Sequence, residues 1–145
     1  MEYKVIYFTR TGHSKRVAEK IAKALDANLI EIDDHKNWKG FFGYLRAGYY
    51  SMSNKQVEIT LNNTLDSNQH MNVVAPLWAG GVAPAVRTFL RMNERNQIHL
   101  LVTSMGSTIK DRTGYLSVTD IIKKFDNEDE KIQVFLKDSL GITQG

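Results

Sequence analysis

The sequence predicts an α/β fold with a parallel sheet, and two features of the chain indicate it. Short runs of β-branched and aromatic residues without polar alternation, such as Val5–Phe8, are typical of strands that are buried on both faces. Segments in which apolar residues recur at helical spacing lie between these runs. Because parallel strands need a crossover connection, this alternation of strand and helix favours parallel pairing.

Local signals define the elements in the first third of the chain. The first strand ends at a polar turn, after which Val17 and Ile21 mark one face of a helix over residues 14–25. A second strand covers 28–32. The aromatic-rich segment 39–52 predicts a helix or a broken helix, because its interior glycines each cost about 1 kcal/mol of helix stability relative to alanine.

Prolines and spacing set the boundaries in the rest of the chain. A third strand over 71–76 is expected to stop at Pro76, because proline cannot donate to a strand ladder. Pro84 begins a helix, whose first turn tolerates it. Strands over 98–102 and 116–122 are separated by little more than the minimum of about 10–12 residues for a crossover, so a loop or a single turn is predicted between them. A last helix follows a run of acidic residues that complement its dipole.

Composition excludes several classes of protein. A chain of 145 residues fits a single domain, residues 1–145, and the absence of cysteine excludes disulfides, thiolate zinc sites and cysteine nucleophiles. No apolar run approaches the roughly 18 residues of a membrane helix, and the start of the chain does not resemble a signal peptide, so we expect a cytoplasmic protein with no membrane partner. The net charge of +3 is modest, and no nucleic-acid partner is expected.

Three loops are predicted to meet at one edge of the sheet, because ligands of open parallel sheets bind beyond the carboxyl ends of the strands. They cover residues 9–14, 77–83 and 104–114, and they are rich in small and hydroxyl residues. The chain contains neither a Walker A sequence nor the dinucleotide fingerprint G-x-G-x-x-G, so two common types of phosphate loop are excluded.

The first loop has the composition of a phosphate site. Thr9, Thr11 and Ser14 supply hydroxyl groups, Gly12 leaves backbone amides accessible, and a helix begins directly afterwards. The helix dipole favours negative charge at that point, and Arg10 would assist electrostatically. A plain helix cap within a turn would explain the same residues.

The second loop is notable for Trp78, which follows a buried strand and precedes Gly80 and Gly81. Its indole offers a flat face for stacking a planar ligand, and the glycines would let backbone amides approach that ligand closely. Alternatively, Trp78 covers the core and the glycines only satisfy the turn. The third loop begins with small residues over 104–108 and is also compatible with a simple turn.

These motifs resemble those of the flavodoxin-like family. Thr9-x-Thr11-Gly12-x-Ser14 is similar to the flavodoxin phosphate loop, Ser/Thr-x-Thr-Gly-x-Ser/Thr. Residues 75–90 are similar to the second flavin loop and the helix after it, 102–106 to the start of the third flavin loop, and 43–49 to a segment between the second and third strands. The similarity extends over nearly the whole chain.

The resemblance implies a doubly wound, five-stranded parallel sheet of order 2-1-3-4-5 that binds FMN, with the 5′-phosphate in the first loop and Trp78 stacked on the isoalloxazine ring. The flavin would carry the electrons, so no catalytic side chain and no metal ligand is expected. The cofactor-binding residues that it implies are Thr9, Arg10, Thr11, Gly12, His13, Ser14, Leu77, Trp78, Ala79, Gly80, Ser104, Met105, Gly106 and Ser107.

The third loop departs from the family pattern. It contains no aromatic residue to cover the second face of the flavin, and it carries Lys110 and Arg112 against the single acid Asp111. Because positive charge near a reduced, anionic flavin makes reduction easier, we expect a less depressed potential than in acidic carriers.

The sequence therefore favours an FMN-binding electron-transfer protein of flavodoxin type. One alternative is an FMN-dependent NAD(P)H oxidoreductase that acts on a quinone or a similar planar acceptor, and another is a binding module that has lost FMN. The expected partner is a redox protein or a small planar electron acceptor, and the chain is expected to be a monomer or a homodimer. A phospho-receiver is excluded by the absence of the necessary acids, and a low-molecular-weight phosphatase by the absence of cysteine.

Overall fold

A computed structural model describes residues 3–34, 59–63, 65, 70–78 and 81–142. In chain order, its strands are β1 (Lys4–Tyr7), β2 (Asn28–Asp33), β3 (Thr60–Leu61), β4 (Met71–Trp78), β5 (Gly81–Val82), β6 (Ile98–Ser104) and β7 (Ser117–Ile122). Its α-helices are α1 (His13–Leu25), α2 (Pro84–Arg91) and α3 (Glu128–Val134), and the last one continues as a π-helical turn, Phe135–Ser139. Single 3₁₀ turns cover Arg95–Gln97 and Lys123–Phe125.

The five long strands form one parallel sheet in the order β2-β1-β4-β6-β7. When these five strands are numbered 1 to 5 in chain order, their order in the sheet is 2-1-3-4-5, as predicted. Two short antiparallel strands, β3 beside β2 and β5 beside β4, add to the sheet and were not predicted. The chain changes direction across the sheet between β1 and β4, so the carboxyl ends of these two strands flank the crevice where doubly wound folds bind ligands.

Alternate residues of the strands pack on opposite faces of the sheet, as two-sided burial requires. Val5 and Val74 belong to the cluster beneath α1 and α3, whereas Ile6 and Val73 belong to the cluster beneath α2. All four side chains are fully buried. This burial explains why the central strands β1, β4 and β6 are mainly apolar in the sequence.

The prediction that the third strand stops at Pro76 is wrong, because β4 continues to Trp78. Proline lacks only the donor, and the Pro76 carbonyl still accepts a hydrogen bond from the Ala83 amide at 3.1 Å, as part of the turn that brings β5 back beside β4. The predicted loop between β6 and β7 is confirmed, since no helix forms over residues 105–116. The helix predicted over 39–52 lies outside the described residues.

Within the described part of the chain, no helix has the length and apolar character that crossing a bilayer requires.

Candidate functional site

A cavity of about 150 Å³ lies at the carboxyl ends of β1, β4 and β6. All three loops singled out in the sequence contribute to its wall, which is the arrangement expected for a ligand site in a parallel sheet. The lining residues are Thr9, Arg10, Thr11, His13, Ser14, Pro76, Leu77, Trp78, Thr103, Ser104 and Met105.

Several predicted site residues do not line this cavity. Gly12 is the N-cap residue of α1, and Gly106 and Ser107 are exposed farther along the third loop. Ala79 and Gly80 lie outside the described residues. Pro76 and Thr103 were missed because both belong to strands, although a hydroxyl residue directly after the apolar run 98–102 was a signal that could have indicated Thr103.

The N-terminus of α1 forms one end of the cavity. Gly12 precedes the helix with φ 97°, a left-handed conformation that glycine adopts without strain, and its amide donates to the Thr9 Oγ1 at 2.9 Å. A glycine cap has no side chain to accept hydrogen bonds from the first amides of the helix, and the first turn contains no acidic residue. This helix terminus therefore favours an anion.

Two buried hydroxyl groups close the back of the site. The Ser14 Oγ and the Thr103 Oγ1 are 2.7 Å apart, and both residues are almost fully buried. One hydroxyl must donate to the other, so the accepting hydroxyl keeps its own proton for a further acceptor. The pair thus provides a hydrogen-bond donor at this end of the cavity.

His13 connects the cavity wall to a charged cluster between α1 and α3. Its Nε2 lies 3.2 Å from the Glu128 Oε1, and the same carboxylate accepts hydrogen bonds from Arg16 at 2.7 Å and Lys20 at 2.6 Å. The hydrogen bond from Arg16 is the largest of the effects that lower the pKa of Glu128 to about 2. Burial, followed by the charge of Arg16, lowers the pKa of His13. The nearby Glu128 carboxylate acts in the opposite direction and raises this pKa.

Leu77, Trp78 and Met105 form the apolar end of the cavity. Trp78 is only 8% exposed and packs edge-on against Phe8, with ring centroids 5.8 Å apart and planes at 70°. The indole thus belongs to the core and also lines the cavity. Met105, by contrast, is 69% exposed.

Hydrogen bonds from strand β7 and within the loop hold the third loop in place. The Asp120 carboxylate accepts the Ile109 amide at 3.1 Å and the Arg112 guanidinium at 2.6 Å. The Ser104 hydroxyl exchanges hydrogen bonds with the backbone of Ser107. Arg112 is therefore paired with an acid.

Solved structures with the same fold include several flavoproteins. A flavoprotein from Lactobacillus acidophilus NCFM, solved in complex with FMN, has a TM-score of 0.62 at 21% identity, covering 90% of this chain and 97% of that one. The chain has a flavodoxin-like fold. The apo form of the flavoprotein from the same organism gives 0.53 at 20% identity over 90% and 87%, and a candidate flavoprotein from Bacteroides eggerthii gives 0.73 at 18% over 96% and 98%.

At these identities, the comparisons support the flavodoxin-like fold alone. The ligand of the cavity is inferred from the residues that line it. No protein-family model matches the chain, and no curated protein matches it. Within the described residues, no three histidine or acidic side chains are grouped so that they could hold a metal ion.

Proposed function

We propose that the chain binds FMN at the loop cavity and acts as an electron-transfer protein of flavodoxin type. The observation that carries this proposal is the meeting of a hydroxyl-lined helix terminus with an apolar, tryptophan-containing wall at the carboxyl ends of β1, β4 and β6. FMN has the matching chemistry, a phosphate at one end and a planar ring at the other. The flavodoxin-like fold, shared with a flavoprotein solved in complex with FMN, supports the proposal.

The phosphate would occupy the N-terminal end of α1. The Thr9, Thr11 and Ser14 hydroxyl groups line this end, and Thr103 supports Ser14 from behind. Arg10 adds positive charge at the rim. Charge-assisted hydrogen bonds to a phosphate are about twice as strong as neutral ones, so most of the binding specificity would arise here.

The isoalloxazine ring would contact the apolar end, where Leu77 and Trp78 line the cavity. The backbone of Ala79 and Gly80 is expected to continue this contact. Pockets that enclose a ligand of this size measure about 300–1,000 Å³. The cavity is smaller, about 150 Å³, so part of the cofactor would remain accessible. Bound FMN supplies the redox chemistry, and the chain supplies binding and environment.

The charge of the third loop would set the reduction potential of the bound flavin. Arg112 is paired with Asp120, and Asp111 is paired with Arg95, so neither acid contributes an uncompensated negative charge. Lys110 is exposed on the same loop. A loop without net negative charge destabilises a reduced, anionic flavin less than an acidic loop would, which favours a less negative potential.

A second candidate function is an FMN-dependent NAD(P)H oxidoreductase acting on a quinone or a similar planar acceptor. The observation that favours it is the 69% exposure of Met105, in a loop that has no aromatic residue to cover the second flavin face. A small acceptor could stack there on the flavin. A binding module without FMN is the remaining alternative.

Two measurements on the FMN-loaded protein separate these functions. An electron carrier would exchange electrons with a chemically reduced donor and with cytochrome c, but would show no steady-state turnover of NADH or NADPH with a quinone. Saturable turnover with either nucleotide would favour the oxidoreductase. An FMN titration of the apoprotein precedes both measurements, and a titration that shows no binding would leave the binding module.

A further inference from the structure

Two large apolar side chains are exposed beside the loop cavity. Met105 lines the cavity and is mostly exposed, and Phe125, at the end of the 3₁₀ turn that follows β7, is 63% exposed. Within the described part of the chain, Phe125 is the only aromatic residue that is exposed. Exposed apolar side chains that lie next to each other mark a surface that contacts a partner.

Backbone contacts hold the third loop against this 3₁₀ turn. The Lys124 amide donates to the Met105 carbonyl at 3.0 Å, and the Lys124 Cδ lies 3.8 Å from the point that a Cβ on Gly106 would occupy. The contact follows from the sheet, because β6 and β7 are paired up to their carboxyl ends. Met105 and residues 123–125 therefore share one exposed surface at the mouth of the cavity, which we call the rim surface.

The rim surface carries two exposed positive charges, on Lys123 and Lys124. The charge of Lys123 acts on His13 in the cavity wall. Burial is the largest of the effects that lower the pKa of His13, and the charge of Lys123 is among the smaller ones. This electrostatic contact locates the Lys123 ammonium group close to the mouth of the cavity.

The acids next to the rim surface only partly compensate these charges. Glu128 forms ion pairs with Arg16 and Lys20, and Asp129 forms one with Lys20, so these four side chains together have no net charge. Asp126, directly after Phe125, is exposed and contributes one negative charge. Two lysines against this single acid leave the rim surface with a net positive charge.

The position of Phe125 favours a protein over a small molecule as the partner. Phe125 does not line the loop cavity, so a small acceptor held in the cavity would leave this ring exposed. A partner that covers Met105 and Phe125 together must extend across the surface. Aromatic and methionine side chains are enriched in protein interfaces, whose rims are polar, and interfaces of electron-transfer complexes are among the smallest.

We propose that the rim surface docks an acidic electron-carrier protein. The partner would contact Met105 and Phe125 with apolar groups and pair its carboxylates with Lys123 and Lys124. The proposal rests on the proposed function, because docking here places the partner beside the accessible part of the bound cofactor. Opposite charges on the two surfaces would speed association and fix the orientation of the partner, whereas a basic carrier would be repelled.

The test is an NMR titration of the full, isotopically labelled chain at low salt, with FMN and again without it. Two haem proteins of opposite charge serve as probes, the acidic soluble domain of cytochrome b5 and the basic cytochrome c. We expect cytochrome b5 to bind at least about fivefold more tightly than cytochrome c, because the rim surface is positive. Its binding should shift the backbone amides of Met105 and residues 123–125.

Variants of exposed residues separate the rim surface from the overall charge of the chain. Lys124→Gln and Phe125→Ser should each weaken the binding of cytochrome b5 about threefold, whereas Asp126→Asn should strengthen it. Asparagine tolerates the left-handed backbone of Asp126, which has φ 48°. The matched controls are Lys23→Gln, at the end of α1, and Met92→Ser, after α2, and both should leave the affinity nearly unchanged.

Several results would overturn the docking surface. These are no binding of cytochrome b5 at millimolar concentration, binding of cytochrome c that is as tight or tighter, amide shifts elsewhere on the chain, or equal affinities of Lys124→Gln and Lys23→Gln. Because Lys124 and Phe125 are exposed, their variants should fold, and circular dichroism checks this. The titration without FMN keeps the two proposals apart, since loss of FMN binding with normal docking would contradict the proposed function and not the docking surface.

Discussion

The hydroxyl oxygens of Ser14 and Thr103 lie 2.7 Å apart, although 89 residues separate them in the chain. This contact joins the first turn of α1 to the carboxyl end of β6, so the first and third loops have a common wall. Both residues are almost fully buried, and they leave one hydroxyl proton available to a ligand. The first prediction follows from this pair.

Thr103→Val should weaken FMN binding about tenfold while leaving the fold intact. Valine preserves the shape of the side chain but removes the hydroxyl, so Ser14 loses its partner and the phosphate loses support from a donor. Titration of the apoprotein with FMN, followed by quenching of flavin fluorescence, measures the dissociation constant. Thr103→Ser is the matched control and should bind nearly normally. Equal affinity in the valine and serine variants would remove this hydroxyl pair from the site.

Trp78→Phe should weaken FMN binding by about 0.5–1.5 kcal/mol, because a smaller ring stacks less well on a planar ligand. Phenylalanine is preferable to alanine here, since Trp78 packs against Phe8 and its truncation would cost about 3–5 kcal/mol of folding stability. The control is Phe135→Leu, a core substitution on the other face of the sheet, which should lower the melting temperature without affecting FMN. Unchanged FMN affinity in Trp78→Phe would indicate that Trp78 packs in the core and does not stack on the flavin.

Glu128→Gln should lower the free energy of unfolding at neutral pH by about 1–2 kcal/mol, after allowance for the exposure of Arg16 and Lys20. The carboxylate has a pKa of about 2 in the folded chain against an ordinary value of 4.5, so its contribution is fully present above 4.5 and is lost as the pH falls through about 2. Urea unfolding across this range should show that the free energies of unfolding of the original chain and of Glu128→Gln converge at acid pH. Glu130→Gln, at an exposed position of α3, is the control. If the difference in free energy of unfolding between Glu128→Gln and the original chain does not shrink as the pH falls, the proposed role of the Glu128 carboxylate is contradicted.

His13→Gln should remove the part of the pH dependence of FMN binding that arises from protonation of the His13 ring. Burial lowers the pKa of His13, so the ring is neutral at neutral pH, with its Nε2 beside Glu128. A phosphate beside the ring would raise this pKa, and protonation would add a donor and a positive charge. The affinity ratio between the original chain and the variant should therefore grow as the pH falls from about 8 to about 5.5, and this ratio cancels the protonation of the phosphate itself. A constant ratio would mean that His13 does not contact the phosphate.

Much of the fold could be predicted from the sequence because two-sided burial leaves a strong signal. The runs that contain Ile6, Val73 and Leu100 are mainly apolar and show no regular polar alternation, and the strands that they form are almost entirely buried. The short strands β3 and β5 could not be predicted, since two residues carry no periodicity and tertiary pairing alone defines them. Pro76 was misleading because a proline without its donor can still accept through its carbonyl.

The candidate site could be predicted where a loop motif and a helix start coincide. The residues from Thr9 to Ser14 are of this kind, and most of them line the cavity. Thr103 was missed because its role depends on the register of β6 beside β4, which brings it to the edge of the sheet. A second cavity, between α2 and the β6–β7 connection, was also missed, since its lining residues Arg87 and Arg95 belong to different elements and line one cavity only in the folded chain.

The most direct test of the proposed function is an FMN titration of the apoprotein followed by fluorescence and calorimetry. FMN binding at the loop cavity predicts a yellow protein with quenched flavin fluorescence, a 1:1 endpoint, and much weaker binding of riboflavin, which lacks the phosphate. Binding of FMN and riboflavin with equal affinity would contradict a phosphate site at the N-terminus of α1. Absence of any FMN binding would contradict the flavin assignment itself.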